Sequence, residues 1–335
     1  MVLIYNFINT ISTGDELMIY PLKTVPIFKQ YLWGGNNLET KLSKAIPDSF
    51  AAESWEISCH EDGLCKIANG VFNGKTLKEI IEKYPKEMIG KEYSTFPLLV
   101  KFIDANDKLS VQVHPDNDFA DKFENGELGK SEMWYVLDAK PDAKLIYGLK
   151  PGTTKEAFKK SIENGNLEEY LNYVPVKKGD YFYIPAGTIH AICEGLLIAE
   201  IQQSSNLTYR VYDYNRCDKD GNKRELHTKK AIKATNYNAD SYNENKIDIK
   251  KQDGYSILKL VECEYFTVEK YIIDKNVFFV KPSDKFEMII CVEGSGKLLY
   301  KDFTYEVNKG DSYFIPAAIN EYSIEGKCDI LRSYE

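Results

Sequence analysis

The chain uses one pattern twice. Residues 177–192 read KKGDYFYIPAGTIHAI, and residues 308–323 read NKGDSYFIPAAINEYS. In each copy a Gly-Asp pair is followed by a proline six residues after the glycine. A second matched pair lies upstream, SEMWYVLDA at 131–139 and FEMIICVEG at 286–294. Even HPD at 114–116 has a counterpart in KPS at 281–283. From HP to EM is 18 residues in the first copy and 6 in the second, so the second lacks an insertion. The text around these motifs is short apolar strands between Gly, Pro and Asn: FPLLVKFID, EMWYVLD, KLIYGL, DYFYIPA, LLIAEIQQ, TYRVYDY. One β-unit used twice predicts two barrels packed together.

Helix is sparse. GKTLKEIIEKYP (74–85) carries Leu77, Ile80 and Ile81 at helical spacing, with Pro85 read as its end. Residues 153–171 read as one or two helices, N-capped by Thr153 or Thr154 and broken at Asn164–Gly165. Length, 335 residues, allows one large or two medium domains.

Net charge is −8, from 43 Lys and Arg against 51 Asp and Glu. No general basic surface for nucleic acid follows, and an anionic substrate must be drawn by local positive charge. The seven cysteines are dispersed, without a CxxC, which reads as reduced thiols in a cytoplasmic protein. The opening MVLIYNFINT is apolar but broken by Asn6 and Asn9 and has no preceding basic residue, so neither a signal peptide nor a membrane span is expected. Met18 reads as the start of the recognisable segment, with residues 1–17 an N-terminal extension.

SVQVHPDND (110–118) places Gln112 and His114 two apart, on one face of a strand that Pro115 ends. With Glu132 and His190 they form a possible ligand set: two imidazoles and a carboxylate suit Zn²⁺, and an amide oxygen can join them. One carboxylate against a divalent ion leaves about +1 to stabilise an anion that develops in a reaction. The same ligand types would serve an Fe(II) oxygenase. Lys130, two residues before Glu132, shares its face if the strand extends that far, and its ammonium could bind phosphate or shuttle a proton. Arg210 suits bidentate binding of phosphate or of sugar-oxygen charge; its plain alternative is an ion pair to Asp213 or another acid. Ser110, on the face of Gln112, is a further phosphate donor. His60 and His227 lie outside these motifs and read as ordinary histidines.

Gly179–His190, in the pattern G-x5-P-x-G-x2-H, resembles most of the second motif of the cupin jelly-roll barrels, with Glu194 where those proteins usually carry Asn. The first cupin motif is altered: Asn106 stands for its Gly and Gln112 for its first His. Gln112-x-His114-Pro115, the run Gly129–Tyr135, Pro185–His190 and the run Tyr209–Asp213 are together similar to type I phosphomannose isomerase. WGGNNL (33–38) and AAESWEIS (51–58) also resemble that family's N-terminal segments, and the chain has the length of its short bacterial form. The resemblance implies a mainly β fold of two cupin-like jelly-roll barrels with a few helices. It divides the chain into a catalytic domain at 18–235 with inserted helices and a degenerate C-terminal domain at 236–335. It implies an aldose–ketose isomerase of mannose 6-phosphate and fructose 6-phosphate, one Zn²⁺ per chain, a phosphorylated hexose as partner and Arg210 as the catalytic arginine. The general base stays open between a water on the metal, Lys130 and a displaced ligand. A cupin Fe(II) dioxygenase and a non-catalytic sugar-binding cupin are the alternatives. Matching the repeats places Phe279, Lys281, Glu287 and Glu321 where Gln112, His114, Glu132 and His190 stand. The second barrel should therefore be filled and structural.

Overall fold

A computed structural model describes residues 18–47, 50–92, 96–217, 220–238 and 248–335. The expected extension at 1–17 lies outside them. The molecule is mainly β with few helices, as the repeat implies. Two sheets build the first barrel. The larger has strand order Tyr181–Ile184, Glu132–Ala139, Leu196–Gln203, Leu98–Ala105, Glu53–Ile57, Ile27–Lys29. The smaller runs Tyr209–Tyr212, Val111–Val113, His190–Ile192, Lys144–Leu149, Leu171–Pro175. A ten-stranded sheet forms the second barrel around two 14-residue strands, Glu287–Tyr300 and Glu321–Tyr334. Where these two strands cross at their middle, Gly296 pairs with Gly326, and a Cβ on Gly326 would stand 2.6 Å from the Gly296 Cα.

The near-continuous apolar runs of the larger sheet have a physical reason: both of its faces are buried. Alternate residues divide between two cores. Leu98, Val100, Phe102, Met133, Tyr135, Leu197 and Ala199 pack outward with the second barrel, beside Phe286, Ile289 and Phe314. Ile103, Trp134, Val136 and Ile198 face inward, into the first barrel. The barrels also share strands: Leu22–Val25 hydrogen-bonds to Ser312–Ile315 of the C-terminal sheet and to Lys66–Ile67.

Helix Leu77–Lys83 forms as the spacing predicts, with Thr76 and Glu79 in a capping box. Pro85 does more than end it. It occupies the first turn of a second helix, Pro85–Ile89, where its missing N–H costs nothing. Lys155–Asn164 is capped by Thr154 and closed by left-handed Gly165, followed by a 3₁₀ turn at Leu167–Tyr170. Among the described residues, no helix is long and apolar enough to cross a membrane. All seven cysteines are free thiols, five of them buried.

Candidate active site

Strand register brings the site together. Gln112 pairs directly with His190 on one side and with Arg210 on the other, so three neighbouring strands of the smaller sheet present these side chains at one level. Glu132 comes from the larger sheet, opposite Gln202 and Ile184. Ligand atoms of His114, Glu132 and His190 all lie within 4.8 Å of one another. The three side chains are 1% exposed, so no water competes for them.

Each imidazole is held from behind. His114 Nδ1 lies 2.6 Å from the Leu207 carbonyl and His190 Nδ1 lies 2.9 Å from the Thr188 carbonyl. A carbonyl only accepts, so both Nδ1 atoms carry the proton and both Nε2 atoms offer a lone pair. Those lone pairs face a carboxylate: His114 Nε2 stands 3.5 Å from Glu132 Oε2, and His190 Nε2 stands 3.3 Å from Oε1. His114 Nε2 and Glu132 Oε1 have no hydrogen-bond partner among the described residues. Burial pushes His190 down to about 4 and His114 well below the usual histidine range, which keeps both rings neutral. Acceptors facing acceptors in a buried site are stabilised by a cation placed between them, and Lys130 meets only Oε2. The Gln112 amide lies 3.4 Å from His190 Nε2, and half a turn of the amide presents its oxygen to the same point. The donor set therefore fits a metal ion.

A cavity of about 280 Å³ lies beside this cluster, separated from it by Gln112, which contacts His190, and Lys130, which contacts Glu132. Lys130, Ser110 and Arg210 all line it. Lys130 Nζ is 2.8 Å from Glu132 Oε2 and 3.6 Å from Glu200 Oε1. Arg210 does not pair with Asp213: its Nε donates to Ser110 Oγ at 3.3 Å and its Nη1 to the Glu225 carbonyl at 2.9 Å. Asp213 instead takes Arg216 and Arg224.

The sequence reading passed over a buried charge row. Trp134, Glu200 and Lys101 are register partners across three strands of the larger sheet, on its inward face. Lys101 Nζ sits 3.1 Å from Glu200 and 3.7 Å from Glu53. Burial works against the charge on Glu200, but Lys101 and Lys130 outweigh it and hold the carboxyl down to about 2. On Glu132, burial and then Glu200 push the other way. A signal was present: one lysine inside FPLLVKFID and one glutamate inside LLIAEIQQ, each with apolar residues on both sides of it. In the second barrel, Phe279 is buried at the position matched to Gln112, stacked on Tyr322 at 4.7 Å. Lys281 is buried at the position matched to His114, and Glu321 is exposed.

A double-barrelled cupin fold with a buried His₂Glu cluster beside a cationic cavity defines a class of metal-site β-barrel proteins. Residues 21–150 match the catalytic domain of type I phosphomannose isomerase, and residues 256–335 match the cupin domain of mannose-6-phosphate isomerase. The chain is 42% identical to a probable mannose-6-phosphate isomerase of Bacillus subtilis (strain 168), over 95% of this chain and 100% of that one. It is 38% identical to another mannose-6-phosphate isomerase of the same strain, over 94% and 98%. The crystal structure of mannose 6-phosphate isomerase from Bacillus subtilis aligns with a TM-score of 0.87 at 39% identity, over 93% and 99%. The chain belongs to the type I mannose-6-phosphate isomerase family.

Proposed function

We propose that the protein interconverts mannose 6-phosphate and fructose 6-phosphate, moving a proton between C1 and C2 through an enediolate, with one Zn²⁺ per chain. One observation carries the reading: two imidazole lone pairs face a carboxylate with no donor between them, beside a cavity lined by Lys101, Lys130, Arg210 and Arg224. Gln112, His114, Glu132 and His190 would hold the ion, the histidines through Nε2. A divalent ion there supplies Lewis acidity toward sugar oxygens.

The chain's own residues supply the rest. Lys130, between Glu132 and Glu200, is a donor to a sugar oxygen at the floor. Arg210, steered by Ser110 and the Glu225 carbonyl, presents its Nη2, which has no partner among the described residues, to charge that develops on the enediolate. With the Gln112 oxygen turned to the ion, its NH2 group faces the Ser110 hydroxyl, which also accepts from Arg210 Nε at 3.3 Å and so joins the two side chains. Trp134, donating to Glu200 at 2.8 Å, walls the floor and keeps it dry. Such a site has no need to bind oxygen, and family membership favours the isomerase over the dioxygenase. The free thiols support a cytoplasmic setting.

A coupled assay of purified protein on mannose 6-phosphate tests the reading. Turnover should vanish with a chelator and return with Zn²⁺. Absence of turnover by metal-loaded protein, or oxygen uptake with a small organic acid, would sink it.

A further inference from the structure

The positive charges in the cavity are not equivalent. Lys101 and Lys130 are both 5% exposed and lie deep among Glu53, Glu132 and Glu200. There Lys101 is paired with Glu53 and Glu200, and Lys130 with Glu132 and Glu200, so neither ammonium is left over for a phosphate. The mouth has the opposite balance. Arg210 and Arg224 both line the cavity there, and burial followed by the charge of Arg224 lowers the affinity of Arg210 for its proton, which marks them as neighbours. Arg216 reaches both Asp107 and Asp213, at 3.4 and 2.5 Å. That leaves Asp213 as the buried carboxylate against two cavity guanidiniums. Glu225 stands out in solvent, its side chain 83% exposed.

Arg224 is also held in place. Its Nε and Nη2 donate to the two oxygens of Asp213, at 2.8 and 2.6 Å. This fork uses one edge of the guanidinium, and among the described residues nothing is hydrogen-bonded to Nη1. The side chain is 32% exposed, so the remaining edge is open to a ligand. A hexose 6-phosphate carries its reacting carbons and its phosphate at opposite ends. With C1 and C2 at the floor, the phosphate must lie outward.

We propose that Arg224, fixed by Asp213, anchors the substrate's phosphate monoester at the cavity mouth and so selects phosphorylated over free hexose. The assignment rests on the isomerase reading above. It gives Arg224 a binding role rather than a part in the proton transfer. Asp213 is a positioning residue that acts through Arg224.

The test compares wild type, Arg224→Gln and Arg224→Lys as metal-loaded proteins, by isomerase kinetics and by calorimetric titration with inorganic phosphate. For Arg224→Gln, KM for mannose 6-phosphate should rise on the order of 10- to 100-fold, the effect of losing a charge-assisted hydrogen bond. The fall in kcat should be smaller. Phosphate affinity should drop in parallel, and Arg224→Lys should restore part of both. Metal content and melting temperature report that the fold is intact, since Asp213 keeps Arg216 as its partner. If wild type isomerises and Arg224→Gln leaves KM and phosphate affinity unchanged, the anchor is refuted while the isomerase stands. If wild type does not isomerise, the functional reading falls, and the phosphate titration alone decides the anchor: lost affinity in Arg224→Gln upholds it, equal affinity overturns it.

Discussion

Arg210 is aimed by its backbone as well as by its side-chain contacts. The His227 N–H donates to the Arg210 carbonyl at 2.7 Å, and the Arg210 N–H donates to His227 Nδ1 at 3.3 Å. The second bond needs a bare Nδ1. Burial lowers the His227 pKa from its usual 6.5; Glu225 and Glu124 oppose this, and Arg210 and Lys230 reinforce it. Its effect on stability has a definite sign. Above pH 6.5 neither state holds the proton and the contact is intact. As pH falls below 6.5 the unfolded chain takes up the proton first, so stability declines until the folded value is passed. His227→Phe should cost about 1 kcal/mol, the worth of one hydrogen bond, lower kcat, and flatten the acid side of the stability curve. His227→Asn, with an amide oxygen as acceptor, should retain most of kcat. Unchanged kcat and an unchanged acid limb in the Phe variant would show that Arg210 needs no such support. Metal content tests the floor: His114→Ala should lose bound Zn²⁺ and activity, while circular dichroism shows a near-native fold. Full metal retention would remove His114 from the ligand set. These four proposed ligands were legible because they sit in short motifs. Lys101, Glu200, Arg224 and His227 were not, because each acts through a partner on another strand or loop, and no local spacing records that.

At the scale of elements, strands were legible because apolar runs broken by Gly, Pro and Asn carry their own boundaries. Short helices were not: Asn37–Leu42, Asn117–Phe123 and Thr228–Ala234 are too brief for a 3.6-residue period to declare itself. The insertion that lengthens the first copy holds one of them, Asn117–Phe123, capped by the Asp116 side chain. The swap of Leu22–Val25 into the other barrel's sheet was equally hidden, since pairing partners 290 residues apart leave no mark on either strand. One connector is testable. Helix Pro85–Ile89 touches the second barrel through Ala317 and Ala318, whose N–H groups donate to the carbonyls of Met88 and Glu87 at 2.8 and 2.9 Å. Gly90 closes the helix at φ 75°, and a Cβ there would lie 1.9 Å from the Asp284 carbonyl oxygen. Gly90→Ala should therefore cost more than the roughly 1–2 kcal/mol of left-handed backbone alone, read as a lowered melting temperature. Gly74→Ala, also at positive φ but with open space around it, should cost only the conformational part. Equal losses at the two positions would mean that the Asp284 contact yields freely.

Across the whole molecule, two copies of one unit have solved the same electrostatic problem differently. The first barrel gives Glu132 one ammonium, that of Lys130 at 2.8 Å, and leaves the carboxylate facing two lone pairs. The second keeps the matched Glu287 and supplies cations from its own chain. Arg332 Nε donates to Glu287 Oε2 at 3.0 Å, its Nη2 to Oε1, and Tyr322 donates its hydroxyl to Oε2 at 2.6 Å. Arg332 also reaches Glu269 at 3.0 Å and lies over the Phe279 ring at 5.2 Å. Lys281 donates to the carbonyls of Lys285 and Ala317, at 2.6 and 3.0 Å. With an arginine fork on the carboxylate and phenylalanine in the glutamine's place, the second barrel offers a metal neither charge nor room, and we propose residues 236–335 as its degenerate, structural copy. Arg332→Met should destabilise by about 3–5 kcal/mol, because it strands a buried carboxylate. Joining it to Glu287→Leu should recover part of that loss, since an apolar pair of similar size carries no desolvation penalty. Denaturant unfolding reads both. Metal analysis should find one equivalent of Zn²⁺ in wild type and in both variants, with unchanged turnover per folded molecule. A double variant no more stable than the single would mean that the ion pair is not what Glu287 contributes. A second equivalent of metal in Arg332→Met would show instead that the guanidinium alone had been keeping a working site closed.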